Sequence, residues 1–332
     1  MAATPSFDRN RLIEKLSDWA RQRLTPEKSG LAQSFFETYF HRIPSDDLAR
    51  SNPEALYSSA LAHLDLAKQR QPGQFLLRAH NPAEGQSPQA SSFTVVEAVV
   101  DDMAFLVDSA SMALNRLGYT IQLTIHPVVK VSRDENGHLL ALNHDAAGAA
   151  FESFLCFQIS REFRTERLDR IVSELSRVLS TVSAANDDRA AMRELAFSLV
   201  DDLRVPDTPE DNNADSEASA LCRWIGEENF TFLGAIRYEL SSDEDASLSP
   251  QAASALGILK PRSDLDLADR LSVLPDNITS DPEDSEPVMI TKSSKRSLVH
   301  RPAYMDVLFV RHRNSIGDLI RETCLVGLFA AG

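Results

Sequence analysis

Apolar positions in the first seventy residues recur at helical spacing. Leu12, Ile13, Leu16, Trp19 or Ala20, and Leu24 form one stripe, and Leu31, Phe35, Phe36, Tyr39 and Phe40 form a second. Asn52 and Pro53 open a third helix, because a first turn leaves the missing proline N–H without consequence. Leu56, Ala60, Leu64 and Ala67 continue it, and Pro72-Gly73 stops it. After a short apolar stretch at 75–77 and a polar loop, the period changes to two. Residues 93–100 are rich in β-branched side chains and apolar on both faces apart from Glu97, the pattern of an interior strand. Beyond Asp101 and Asp102, Met103, Leu106, Val107, Ala110, Ala113, Leu114 and Leu117 make a helical stripe that Gly118 ends. Ile121, Leu123, Ile125, Val129 and Val131 then alternate, residues 134–137 turn a hairpin, and residues 139–142 return. Phe151, Ser153, Leu155, Phe157 and Ile159 supply another strand, and Thr165 can cap a helix carrying Leu168, Ile171, Leu175 and Val182.

This order, βαβ(β)βα, lacks the final strand of the ferredoxin-like βαββαβ plait. The next stripe, Met192, Leu195, Ala196, Leu199 and Leu203, is helical again, so residues 74–79 are expected to fill the vacant edge from the N-terminal side. Residues 205–217 hold two prolines, two asparagines and five acids, which leaves little to bury and reads as a linker. A second domain follows. Residues 218–227 suit a short helix, and Phe230, Phe232, Gly234, Ile236 and Tyr238 alternate as a strand. Residues 288–292, 304–311 and 319–329 read as further strands, the last two turning at 314–317, with acidic loops at 241–247 and 276–286. A sheet ending without a covering helix exposes an apolar face, which further polypeptide or a partner would cover. The predicted class is therefore α+β. It comprises an N-terminal helical segment (1–73), a ferredoxin-like domain (74–204), an acidic linker (205–217) and a β-rich second domain (218–332), truncated at its C-terminus.

Charge narrows the possible partners. Lys and Arg number 34 against 49 Asp and Glu, a net charge of -15 over 332 residues, so the surface repels phosphate and nucleic acid is not expected as a partner. No apolar run approaches the roughly 18 residues of a membrane span, and residues 1–10 lack a signal-peptide pattern, so no membrane partner and a cytoplasmic location are expected. Cys156, Cys222 and Cys324 lie too far apart for a disulfide framework or a zinc motif.

The twelve glycines are spaced so that neither G-x-G-x-x-G nor G-x-S-x-G occurs, and the one pair at P-loop spacing, Gly327 and Gly332, ends the chain without a lysine. The eight histidines form no H-E-x-x-H pair. The expectation is a chain with no catalytic, cofactor-binding or metal-binding residues of its own.

Two groups of residues stand out as candidate effector-binding or interface sites. Asp101 and Asp102, with Met103 and Ala104, sit at a predicted helix N-terminus. There they either cap the helix, or one caps while the other binds an effector's ammonium group. Residues 288–313 carry six bases and a single acid, Asp306, inside an acidic chain. Lys292, Arg296, His300 and Arg301 in this window form either a solvated, salt-bridged surface or one that binds carboxylates or docks a domain. Glu97 is expected to lean to an edge or to meet a basic partner such as Arg116, and Cys156 to be a small buried residue.

Three ordered stretches resemble a known family. They are residues 94–109 (TVVEAVVDDMAFLVDS) with 113–118 (ALNRLG), then 229–234 (NFTFLG), then 290–292 (ITK) followed by 299–306 (VHRPAYMD). Together they resemble the N-terminal region of the large NAD-specific glutamate dehydrogenases, over roughly residues 30–329. The resemblance implies that both domains are ACT-like. It also implies an NAD-binding catalytic domain C-terminal to Gly332, regulation by a small amino-acid effector, and assembly with sister subunits. Where the family pattern has proline, this chain has Ala104. Simple amino-acid-binding ACT modules tend to carry a glycine in this turn, and here Phe105 would crowd a ligand.

Overall fold

The computed structural model describes residues 8–82, 92–145, 148–203, 213–240, 248–261, 267–275, 286–314, 316 and 318–330. It divides into two compact units, residues 1–179 and 180–332. Both are built on six-stranded antiparallel sheets, so the class is α+β with ACT-like domains.

Unit 1 starts with α1 (Arg9–Arg23), α2 (Pro26–Tyr39), α3 (Ser45–Arg50) and α4 (Pro53–Leu66). Asp8 caps α1 by accepting from the N–H groups of Asn10 and Arg11, and Asn52 caps α4 through Glu54 N–H at 2.8 Å. The short α3 carries a single buried apolar residue, Leu48, too little to register as a periodic stripe. The sheet contains β1 (Leu76–His80), β2 (Phe93–Asp101), β3 (Ile121–Ile125), β4 (Val128–Arg133), β5 (Leu139–Leu142) and β6 (Ala150–Ser160), in the order β1-β2-β6-β4-β5. The expected closure occurs: β1 pairs antiparallel with β2 and fills the vacant edge. The run expected as one strand from Ile121 to Val131 is two, because Pro127 has no N–H for the ladder. Both halves still pair with β6, and Pro127 O accepts from Phe154 N–H at 3.0 Å.

The helical segment is no separate domain. Phe35 on α2 meets Phe154 on β6 with ring centroids 5.0 Å apart, and Phe36, Tyr39 and Phe40 are buried in a core shared with Val95, Val99 and Ile125 of the sheet. Two helices complete the βαββα order, α5 (Leu106–Arg116) and α6 (Thr165–Asp187). Met103, expected within α5, precedes it. Thr165 is the first residue of α6 rather than its cap, since Leu168 N–H bonds back to Arg164 O.

Unit 2 begins within α6 rather than near residue 205, because α7 (Arg189–Asp202) packs with α8 (Asn213–Trp224) on the second sheet. α8 also takes over the last residues of the expected linker; residues 204–212 lie outside the described residues. The sheet comprises β7 (Phe230–Leu240), β8 (Leu248–Pro250), β9 (Leu256–Gly257), β10 (Val288–Arg296), β11 (Tyr304–Arg313) and β12 (Leu319–Phe329), with a one-turn helix α9 (Leu267–Leu271). Its order is β10-β11-β12-β7-β8, with β9 also on β7. The expected open apolar face is absent among the described residues. Leu308, Val310 and Leu325 pack against the α7–α8 layer, while Val307, Phe309, Cys324 and Val326 are buried as well. Leu259 contributes to that burial, lying 3.0 Å from where a side chain on Gly234 would begin. The loops expected at 241–247 and 276–286 lie outside the described residues except for Glu286, as do Ser315 and Gly317 of the β11–β12 turn.

Candidate functional site

The acidic turn after β2 is positioned by a buried ion network that joins residues 67–74 to the sheet. Arg70 is 1% exposed, with one guanidinium nitrogen 2.8 Å from Asp101 and another 2.8 Å from Glu152, while its Nε donates to Gln74 O. Arg133 grips the same Glu152 through Nε and Nη2, each at 2.7 Å, and donates to the carbonyls of Ala67 and Gly137 at 2.9 Å. Two arginines thus face two carboxylates, and the buried charge is balanced. Gly137 completes the strap. It sits at φ +81, accepts from Arg70 N–H at 2.9 Å, and would place a Cβ 2.4 Å from Arg70 O.

Asp101 is therefore committed on both oxygens: one faces Arg70 and the other accepts from Gly73 N–H at 2.7 Å. Asp102 is exposed and accepts from Ser153 Oγ at 2.6 Å, and that oxygen lies 2.9 Å from His126 Nε2. Because Ser153 gives its proton to Asp102, His126 is not placed to activate it as a nucleophile. Burial lowers the His126 pKa, while Asp102 pulls it back up. Neither aspartate caps α5 as expected. Phe105 holds the N-cap position in the left-handed region at φ 69, without a side-chain cap, and Met103 and Ala104 lie half-buried in the turn before it.

Glu97 is 1% exposed and pairs with Arg78 on β1, not with Arg116, which pairs with Glu174. Arg78 lies directly opposite Glu97 in the β1–β2 register, a neighbour that exists only once the N-terminal strand has joined the sheet. Beside them His63 is wholly buried, 3.2 Å from both Tyr39 Oη and Ala98 O, and burial drives its pKa down to about 3. Cys156 is buried as expected, and burial pushes its thiol pKa well up, which disfavours the thiolate.

The basic window of unit 2 is tied to its own chain. Lys292 pairs with Asp306 at 2.5 Å, and Asp306 also accepts from Phe329 N–H at 3.1 Å. The Arg296 guanidinium lies 4.6 Å from the Tyr304 ring centroid and donates to Pro302 O at 2.8 Å. Arg301 donates to Phe329 O, and His300 occupies the tight turn between β10 and β11 at φ 67. Farther along β11, buried Arg311 lies 3.3 Å from Glu322 and donates to Glu286 O. The 292–306 group thus lies together at one end of the β10–β11 hairpin, whereas Asp101–Ala104 belongs to unit 1. Arg70, Arg133 and Glu152 escaped the sequence reading because no local spacing links them; the one trace was a glutamate within a largely apolar strand.

Among the described residues no group of His, Cys, Asp and Glu is arranged to hold a metal ion, and no helix is long and apolar enough to cross a membrane. Residues 35–175 match the family model of the glutamate dehydrogenase ACT1 domain. The NAD-specific glutamate dehydrogenase of Halomonas elongata is 28% identical over 328 residues, covering 96% of this chain and 20% of that protein. The enzyme of the same description from Pseudomonas aeruginosa is 27% identical over 310 residues, covering 90% and 18% respectively. That of Mycobacterium tuberculosis is 25% identical over 257 residues, covering 70% and 15%. The chain spans about a fifth of the length of the curated relatives it matches. Residues 35–175 are thus similar to the ACT1 domain of the glutamate dehydrogenases, and the chain resembles the N-terminal region of their large NAD-specific members.

Proposed function

We propose that this chain is the N-terminal regulatory and assembly region of a large NAD-dependent glutamate dehydrogenase. The reaction, L-glutamate with NAD and water giving 2-oxoglutarate, ammonia and NADH, belongs to sequence outside residues 1–332, and NAD binds there. One observation carries this reading: the ACT1 match sits inside an alignment that takes in 96% of this chain but only 20% of the relative. A sequence without a glycine-rich dinucleotide turn fits the same division of labour.

Regulation in this scheme works by population shift. A small amino-acid effector at an ACT-like sheet alters a distant dehydrogenase site only if its affinity differs between two arrangements of the subunits. The Asp101–Arg70–Glu152–Arg133 network supports a mechanical role for the acidic turn, because it couples that turn to the N-terminal strap and to the β4–β5 hairpin. Leu140 and Phe151, each 58% exposed, offer apolar surface for contact with sister subunits or with the enzyme's own catalytic domain.

The test compares the 332-residue chain with the product of its whole reading frame. Glutamate-dependent NADH formation is expected only from a longer product, and self-association of the 332-residue chain is expected in light scattering. NADH formation by the 332-residue chain alone would overturn the proposal. So would a whole reading frame that yields no dehydrogenase, which would leave a stand-alone ACT-like module.

A further inference from the structure

A cavity of about 290 Å³ lies between the N-terminal helices of unit 1 and the sheet beneath them. Its floor is apolar: Tyr39, Phe40, Ile43 and Leu48 on the helical side, Val95 and Ile125 on the sheet, all buried. One row crossing the sheet breaks that character. Gln158 on β6 stands in register between Val95 on β2 and Leu123 on β3, and all three line the cavity.

β6 is an interior strand, where an amide among apolar neighbours carries a desolvation cost unless something bonds it. Gln158 is half-buried and lines the cavity, and its amide is not among the sealed polar atoms that lack a partner, so it faces the cavity and can exchange solvent for a ligand's donor and acceptor. Towards the mouth, Gln122, Asn52 and Ser59 are polar and uncharged, while Asp47 and Arg50 bring one charge of each sign. The lining as a whole is therefore neutral.

We propose that this cavity binds a small amphiphile of zero net charge. Its apolar body rests on the floor between Tyr39 and Ile125, and its head, with both a donor and an acceptor, meets the Gln158 amide. Asp47 and Arg50 offset each other, so the lining offers a ligand with net charge no net countercharge above an apolar floor, and such a ligand is disfavoured. The volume, at the lower end of small-molecule sites, suits one ring or a branched aliphatic body with a short head. The site is separate from the acidic turn. Val95 and Asp101 are six residues apart on β2, about 20 Å at the usual strand rise. It also stands or falls independently of the dehydrogenase reading, because it rests on unit 1 alone.

Isothermal titration calorimetry of the 332-residue chain tests this with 2-phenylethanol and L-phenylalanine, which share a ring but differ in head group, and with L-glutamate as the net-charged comparison. The expected result is saturable binding of at least one aromatic probe, with glutamate at least ten-fold weaker. A preference for 2-phenylethanol assigns the head contacts to uncharged donors and acceptors, whereas a preference for phenylalanine assigns them to Asp47 and Arg50 as well. Gln158→Leu is expected to weaken binding ten-fold or more, and Ser59→Trp, at an exposed helical position beside the mouth, to abolish it. Methyl NMR shifts of Ile43 and Ile125 give a readout in the unmodified chain, so the test survives a variant that fails to fold. Any of three results would overturn the proposal: no saturable binding of either aromatic probe, glutamate binding as tightly, or methyl shifts confined to residues away from the cavity.

Discussion

Replacing Glu152 with leucine is expected to be among the most damaging single changes in unit 1. Glu152 is 2% exposed and holds two arginines through three bonds: Arg70 Nη1 at 2.8 Å, Arg133 Nε at 2.7 Å and Arg133 Nη2 at 2.7 Å. Its removal turns a balanced group of two positive and two negative charges into one with an excess positive charge, with Arg70 still sealed from water. Arg70 keeps Asp101, which is 38% exposed, and Arg133 keeps only carbonyl oxygens. Breaking one side of a buried ion pair costs about 3–5 kcal/mol. For a unit of this size, at about 2–4 °C per kcal/mol, the melting point falls on the order of 10 °C. The chain has two tryptophans, Trp19 in unit 1 and Trp224 in unit 2, so a Trp224→Phe background makes Trp19 fluorescence report the affected unit. The triple change Arg70→Met, Glu152→Leu, Arg133→Leu removes Glu152 together with both its arginines, leaves only Asp101, which is 38% exposed, and should recover all but about 1–2 kcal/mol. A Glu152→Leu chain that loses less than about 1 kcal/mol, or a triple variant no better than the single, would refute the claim that unpaired buried charge is the cause.

Three further outcomes are expected. His63 takes up a proton near 3 in the folded chain but near its ordinary 6.5 when unfolded, so unfolding binds a proton below pH 6.5. This group's contribution is full above about pH 6.5 and falls towards pH 3, by up to about 1.4 kcal/mol per pH unit; because burial also lowers His80, His126 and His312, urea titrations should show the wild type steeper than His63→Gln by this amount, and equal slopes would refute it. Gly137→Ala should destabilise unit 1 by about 2 kcal/mol or more, since it places a methyl group against Arg70 O at a positive φ; thermal unfolding followed by Trp19 checks it. Cys156, Cys222 and Cys324 are buried with raised pKa values, that of Cys222 to about 12. A chromogenic disulfide reagent should therefore label none of them until denaturant is added, and prompt labelling of any one would contradict their burial.

Periodicity carried most of the fold because burial in this protein follows simple stripes. The α1, α2 and α4 helices and the β2–α5–β6 framework are all set by apolar spacing, and even the vacant edge taken by β1 follows from counting strands in the plait. What periodicity missed depends on single residues or on distant ones. Pro127 interrupts a strand whose alternation continues on either side. The first turn of α5 starts after Phe105 because the aspartates are already engaged, one by Arg70 and Gly73 and the other by Ser153. Glu97 was matched to the wrong arginine since Arg78 becomes its neighbour only through strand pairing. At the candidate sites, the residue types were legible and their particular partners were not: Lys292, Arg296 and Arg301 read either as a salt-bridged surface or as one that binds carboxylates or docks a domain, and each engages a carboxylate or carbonyl of its own chain.

Supplying the plait's outermost strand from before β2, rather than after α6, amounts to a natural circular permutation of the ferredoxin-like topology. During synthesis every strand of the first sheet has left the ribosome once Ser160 has emerged, and only one helix remains to be added. That sheet can close without waiting for any residue of the second, and α6, relieved of returning a strand, is free to continue past Leu179 as an unbroken helix to Asp187.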